Sequence, residues 1–331
     1  MNQKFRILSI DGGGIRGIIP GQIMAEIERE FGIIPADHFD LIAGTSTGGI
    51  LTCGYLIPSK DNSNTPKFSA KEVVGLYLDR GDEIFDVPFY HKVKSGWGIL
   101  DEKFPEDELE NALKEYFGDV WLKDLLKPCL IPSYDIRRRK GHFFGQHKAA
   151  DHSMYNFKVR DVARATSAAP TYFEASKIES EVGDVFPLID GGVFVNNPAL
   201  AAYAEGRNIF ELNDGERATA ADMKILSLGT GFTRQKYSHS KAKNWGKAEW
   251  VQPIIDIMMS GSSEVADYQL RKIFETTNSP EQYLRINGDL RTSDINPDLG
   301  CATQENMKKL KAYGIELFHH HSEKIEAWLK L

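Results

Sequence analysis

The stretch that most restricts the fold lies near the start of the chain. There the largely apolar run Phe5–Ile10 stops abruptly at Asp11-Gly12-Gly13-Gly14-Ile15-Arg16-Gly17. Ile19, Ile23 and Ile27 then recur at helical spacing, with Pro20 tolerated in the first turn, and Phe39–Ala43 is apolar again. A buried strand, a helix and a second strand in so short a span make a right-handed crossover unit, which joins parallel strands. The sequence therefore predicts an α/β fold.

Three consecutive glycines leave backbone N–H groups unshielded where a helix begins, and the helix dipole favours an anion there. Two anions suit such a site: a phosphate, or the oxyanion of an acyl-transfer intermediate. Gly12, Gly14 and Gly17 also satisfy the dinucleotide fingerprint. That fingerprint wants an acid at the end of the second strand, whereas Asp40 stands at its beginning. The end carries Gly44-Thr45-Ser46-Thr47-Gly48, a GxSxG elbow that exposes a serine hydroxyl on a sharp turn. Gly44 and Gly48 are small because strand and helix approach closely there. Adjacent parallel strands end at one sheet edge, so the glycine loop and Ser46 can meet around one reacting atom.

A nucleophilic serine needs a base. Histidine is the common answer, which nominates His239 or one of His319, His320 and His321. The elbow, however, follows only the second strand, and the three late histidines lie in an amphipathic segment where His321 faces the core. Asp190 is preferred, in Ile189-Asp190-Gly191-Gly192 at the end of the apolar run Val185–Ile189. Partial burial raises a carboxyl pKa and makes it a competent base.

Elsewhere Pro58–Lys67 reads as an exposed loop and Val73–Leu78 begins a helix. Cys129–Ile136 and His142–Phe144 read as paired strands around the charged turn Arg137–Gly141, either a solvated hairpin or a site for anionic headgroups. Met223–Leu228 is another strand. The segment with Phe85, Phe89, Tyr90, Trp97 and Phe104, carrying Lys92 and Lys94, reads as a long connection packed on the core or as a lid that meets a membrane. Leu310, Tyr313, Leu317, His321, Ile325 and Trp328 share one helical face. No linker or repeat interrupts the 331 residues, so one elaborated domain is expected.

The net charge of −7 excludes bulk attraction to a nucleic acid polymer. Cys53, Cys129 and Cys301 are too few and too scattered for a disulfide framework or a zinc site, which places the chain in a reducing compartment. The apolar run after Lys4 and Arg6 is too short for a signal segment, and no stretch suits a membrane span. A cytoplasmic location is expected.

As an ordered set, these motifs resemble the patatin-like phospholipase family. They are the glycine loop Asp11–Gly17, the elbow Gly44–Gly48, Ala165-Thr166-Ser167-Ala168-Ala169-Pro170, Asp190-Gly191-Gly192, Asn196-Asn197-Pro198 and Leu228-Gly229-Thr230-Gly231. The resemblance covers about residues 5–231. It implies a three-layer fold with a mainly parallel central sheet flanked by helices, and a helical region at about 232–331. Gly261–Leu270 and Tyr283-Leu284-Arg285-Ile286 in that region look like the family's C-terminal part, with no chemistry attached.

The resemblance further implies that Ser46 attacks a lipid acyl ester and that Asp190 takes and returns its proton. Gly13 and Gly14 offer N–H groups to the oxyanion, with Gly12 and Arg16 shaping the oxyanion hole. It implies no metal or organic cofactor, and a phospholipase A type activity on membrane phospholipid at the inner face of the membrane. Some bacterial members are antiviral effectors that a cyclic dinucleotide activates, so a nucleotide activator in antiphage defence is one expectation. A constitutive hydrolase and a nucleotide-binding protein using the glycine loop are the alternatives. A homo-oligomer is compatible with all of them.

Overall fold

The computed structural model describes residues 4–84, 106–212, 215–233 and 236–331. The aromatic segment from Phe85 to Phe104 lies outside them. The strands are β1 (Phe5–Ile10), β2 (Leu41–Gly44), β3 (Cys129–Asp135), β4 (Lys140–Phe144), β5 (Ser176–Glu179), β6 (Val185–Asp190), β7 (Met223–Leu228) and β8 (Tyr283–Ile286). They form one sheet in the order β5-β6-β3-β2-β1-β7-β8, with β4 paired to β3. The run from β3 through β2, β1 and β7 to β8 is parallel, and β4, β5 and β6 join antiparallel at the other side. The expected α/β architecture with a mainly parallel sheet is present.

The helices are α1 (Ile18–Phe31), α2 (Pro35–His38), α3 (Thr47–Leu56), α4 (Ala70–Ile84), α5 (Glu106–Phe117), α6 (Gln146–Asp151), α7 (Val159–Thr166), α8 (Ala199–Ile209), α9 (His239–Ala242), α10 (Lys247–Thr276) and α11 (Gln304–Lys330). One core packs α1, α3, α4, α7 and α11 on one side of the sheet, and a second cluster packs α8 and α10 on the other. Strands buried on both faces explain why β1, β2 and β7 read as apolar runs without alternation.

Local chemistry shifts several boundaries from their expected places. β2 starts at Leu41, because the Asp40 carboxylate accepts the Arg6 N–H at 2.8 Å and Phe39 turns inward, fully buried. α4 starts earlier than Val73 because Ser69 and Glu72 cap it reciprocally, Ser69 N–H donating to Glu72 Oε2 at 2.9 Å and Glu72 N–H to Ser69 Oγ at 3.3 Å. In the charged turn, Asp135 accepts the N–H groups of Arg137 and Arg138 at 2.9 and 2.8 Å. Arg138 also lies over the Phe186 ring at 4.4 Å and Arg137 Nη2 donates to the Val185 carbonyl at 2.5 Å, so two of the four basic side chains serve the fold.

The region after residue 231 is not simply helical. β8 extends the parallel sheet beside β7, in register from Ile225↔Tyr283 to Leu228↔Ile286. α11 lies along α1 and closes with Trp328, which is 2% exposed and donates its indole N–H to the Gln282 carbonyl at 3.1 Å. Buried Lys224 holds the end of the same helix, donating to the Trp328 carbonyl at 2.7 Å. Trp328→Ala is expected to lower the unfolding free energy by about 3–5 kcal/mol. Urea denaturation checks this, and a loss below about 1 kcal/mol would show that α11 contributes little to the cooperative core.

Candidate active site

Ser46 sits at the mouth of the elbow between β2 and α3, with φ 55° and ψ −123°. A non-glycine residue held there stores on the order of 1–3 kcal/mol of strain, so its surroundings must impose the turn. They do so in two ways. The Ser46 N–H donates to Thr166 Oγ1 at 3.0 Å, and that hydroxyl donates onward to the Pro132 carbonyl at 2.6 Å. The chain also comes very close to itself: a Cβ on Gly48 would stand 2.3 Å from the Ile10 carbonyl oxygen. Glycine at that position lets α3 start against the end of β1.

The glycine loop is fixed nearly peptide by peptide. Gly12 donates its N–H to the Asn196 carbonyl at 3.0 Å, and its own carbonyl accepts the Thr230 hydroxyl at 2.7 Å. The Gly13 carbonyl accepts the Arg16 N–H at 3.1 Å and faces Arg16 Nε at 3.5 Å. Ile15 donates to the Leu299 carbonyl at 2.9 Å. Gly14 takes φ +56°, and a Cβ there would fall 2.3 Å from that same Leu299 oxygen. Among the described residues, the N–H groups of Gly13 and Gly14 donate to no protein acceptor. The loop thus presents two free donors, while Gly12 and Arg16 brace it.

Asp190 ends β6, 3% exposed. Its Oδ1 accepts the Gly192 N–H at 2.6 Å, and its Oδ2 is buried without a hydrogen-bond partner. Burial raises the carboxyl pKa to about 7, against the lowering pull of the Ser46 hydroxyl and the Gly192 N–H. The hydroxyl is near enough to act on the carboxyl, yet makes no hydrogen bond of ordinary geometry with it in the resting protein. A Cβ on Gly191 would meet the Pro132 carbonyl at 2.3 Å, which accounts for glycine after the aspartate.

Ser46, Asp190 and Gly14 line one cavity of about 40 Å³ whose other walls are mostly apolar, among them Ile50, Tyr77, Leu109 and Phe173. Tyr172, Met259 and Leu299 separate it from a larger cavity of about 560 Å³ lined by both charged and apolar side chains. Among the described residues, no histidine lines either cavity. His319 and His320 are exposed on α11, and His321 turns its Nδ1 to the Leu317 carbonyl at 2.9 Å.

Two groups complete the site from stretches to which the sequence attached no chemistry, Tyr283–Ile286 and Gly261–Leu270. Arg285 on β8 makes a two-pronged pair with Asp11, Nη1 to Oδ1 at 2.9 Å and Nη2 to Oδ2 at 2.5 Å, and also donates to Ser227 Oγ at 2.7 Å. Burial opposes the guanidinium charge, but the Asp11 carboxylate outweighs it and holds Arg285 above its ordinary pKa. The second group is the pair Ser262 and Ser263 on α10. Asn196 donates its N–H to Ser262 Oγ at 3.4 Å and its Nδ2–H to Ser263 Oγ at 3.1 Å. No local pattern assigns either group a role, because their partners lie far away in sequence.

An elbow serine, two free backbone donors and a buried carboxyl meet at one sheet edge, an arrangement suited to acyl transfer. The family comparison agrees: residues 8–203 match the patatin-like phospholipase family, and the chain belongs to it. It is similar to patatin-like protein 3 of Arabidopsis thaliana, 34% identical over 94% of this chain and 80% of that one. Patatin-like protein 2 of the same plant is 35% identical, over 94% of this chain and 82% of its own. The solved structure of VipD from Legionella pneumophila is a distant likeness, 13% identical with a TM-score of 0.35, covering 96% of this chain and 67% of that one. The protein is therefore an enzyme of the lipid acyl hydrolase class.

The buried pair gives a test of how the loop is held. Arg285→Met leaves the buried Asp11 carboxyl without its partner, with an expected loss of about 3–5 kcal/mol in unfolding free energy. Asp11→Asn with Arg285→Met should recover more than half of that loss. A double variant as unstable as the sum of the singles would show that the two side chains are not coupled.

Proposed function

We propose that the chain hydrolyses acyl esters of membrane phospholipids through a Ser46/Asp190 dyad and an acyl-enzyme. The observation that carries this reading is the convergence of Ser46, Asp190 and the glycine loop on one narrow, largely apolar cavity. Ser46 Oγ attacks the ester carbonyl carbon as its proton passes to Asp190 Oδ2. The free N–H groups of Gly13 and Gly14 receive the charge that develops on the carbonyl oxygen, each such donor being worth about 3–4 kcal/mol in the transition state. Collapse breaks the ester bond, and the departing alkoxide oxygen takes the proton back from Asp190. Water then attacks the acyl-enzyme, again losing its proton to Asp190, and collapse breaks the bond to Ser46 Oγ, which takes that proton back as the fatty acid leaves.

The raised pKa of Asp190 supports the assignment, since a base with pKa near 7 accepts a proton and returns it within one turnover at neutral pH. The second carboxyl oxygen, buried and unpartnered, is the atom left to receive it. In the nucleotide-binding alternative, the loop N–H groups would hold a phosphate and Ser46 would be chemically idle.

Fatty-acid release from mixed phospholipid vesicles separates these readings. Ser46→Ala and Asp190→Ala should each lower release by at least about 10³-fold, whereas His239→Ala leaves it unchanged. Full release by Ser46→Ala would exclude this nucleophile. A parallel arm with a panel of cyclic dinucleotides addresses control: release that needs one of them would add ligand gating and support an antiphage role, and equal release without them would mark a constitutive hydrolase.

A further inference from the structure

The helix α10 covers the site with one face and leaves the other bare. Met259 lines both cavities, and Ala266, Leu270 and Phe274 are buried against the domain. On the opposite face Trp250, Ile254, Ile257, Met258, Val265 and Tyr268 fall within an arc of about 100° at 3.6 residues per turn. Each is large and apolar, yet their exposure runs from 37% for Trp250 to 64% for Tyr268. An amphipathic helix normally turns such a stripe toward the core. Here the core already occupies the other side, and a continuous exposed stripe of this kind marks an interaction surface.

The end of the stripe identifies what it meets. The segment 236–250 carries Lys236, Lys241, Lys243 and Lys247 against Glu249 alone, a local excess of positive charge in a chain of net charge −7. Lys236, Lys243 and Lys247 are exposed. Between them stands an aromatic series, Tyr237 edge-on to Trp245 at 5.4 Å and Trp245 edge-on to Trp250 at 4.9 Å. Tryptophan and tyrosine favour the headgroup level of a bilayer, lysines there attract anionic lipid, and an apolar helical face enters the acyl boundary.

We infer that the outer face of α10 and the basic aromatic segment before it form a docking surface for an anionic lipid bilayer, with the helix lying flat on the membrane over the catalytic cavity. The inference rests on the lipid hydrolase reading for its purpose, not for its evidence. Docking through α10 brings the lipid phase within about one helix diameter of Met259 and the acyl cavity. Asp256 and Asp267 face the larger cavity on the side of the helix away from the stripe, and exposed Glu264 flanks the stripe beside Ile257.

Vesicle co-sedimentation of the Ser46→Ala protein tests this without destroying the vesicles. Binding to mixed phosphatidylcholine and phosphatidylglycerol should exceed binding to phosphatidylcholine alone and weaken with salt. Ile254→Asp with Ile257→Asp should raise the apparent dissociation constant at least about tenfold, whereas Ile254→Leu with Ile257→Leu retains binding. In the otherwise unaltered enzyme, the aspartate pair should lower hydrolysis of vesicle phospholipid by a similar factor and leave hydrolysis of a dispersed short-chain ester within about twofold. Unchanged vesicle binding by the aspartate pair would overturn the inference. So would a dimer in light scattering that the same pair splits, since the stripe would then be an interface between copies. An enzyme inert toward both substrates would refute the hydrolase reading, while co-sedimentation of the Ser46→Ala protein would still decide the docking.

Discussion

The buried pair between Asp11 and Arg285 is the constraint on which the site depends. Asp11 is the residue where β1 gives way to the glycine loop, and Arg285 stands on β8 at the far end of the parallel strands. A free carboxylate in that position would draw water or seek the N–H groups beside it. Held by a guanidinium fork, it accepts those charged hydrogen bonds and leaves the loop donors to other uses. The pair also ties the first turn of the fold to its last strand.

From that anchor the remaining contacts narrow the loop to one shape. Thr230 and Asn196 hold the Gly12 peptide from both sides, Leu299 holds Ile15, and Arg16 braces Gly13. The elbow is pressed against the same strand end by Gly48, and Thr166 fixes its serine N–H. Asp190 is dehydrated by this packing. The unfolded chain releases its proton near the ordinary carboxyl pKa, and the folded chain only near 7, so its burial detracts from stability as pH rises between those values. That loss is the physical consequence of burying a carboxyl group, and the α11 packing offsets it.

Much of this was legible in the sequence because the constraints are local. A GxSxG after an apolar run announces a strained turn by the absence of side chains where Gly44 and Gly48 stand. The glycine loop and the Asp190-Gly191-Gly192 turn carry the same kind of signature, and the edge at which they meet follows from parallel pairing of β1 and β2. Arg285 carried no such signal: its partner lies 274 residues away, and a lone arginine in a short strand looks like any surface charge. Leu299 contributes only a backbone carbonyl, which no residue type encodes. The bare face of α10 was equally hidden, since an apolar helical stripe reads as core until the opposite face is seen to be buried.

The central claim is that Asp190, and no histidine, activates Ser46. The rate at which a fluorophosphonate labels Ser46, followed from pH 5 to pH 9, tests it without depending on lipid presentation. Below the carboxyl pKa, Asp190 is protonated and cannot accept the serine proton, so the rate should fall about tenfold per unit under pH 7 and level off above it. Because carboxyl ionisation has little enthalpy, the midpoint near 7 should barely move with temperature, and the limb should vanish in Asp190→Asn with the residual rate low throughout. A midpoint that shifts with temperature as an imidazole does, or a limb that survives Asp190→Asn, would contradict the dyad.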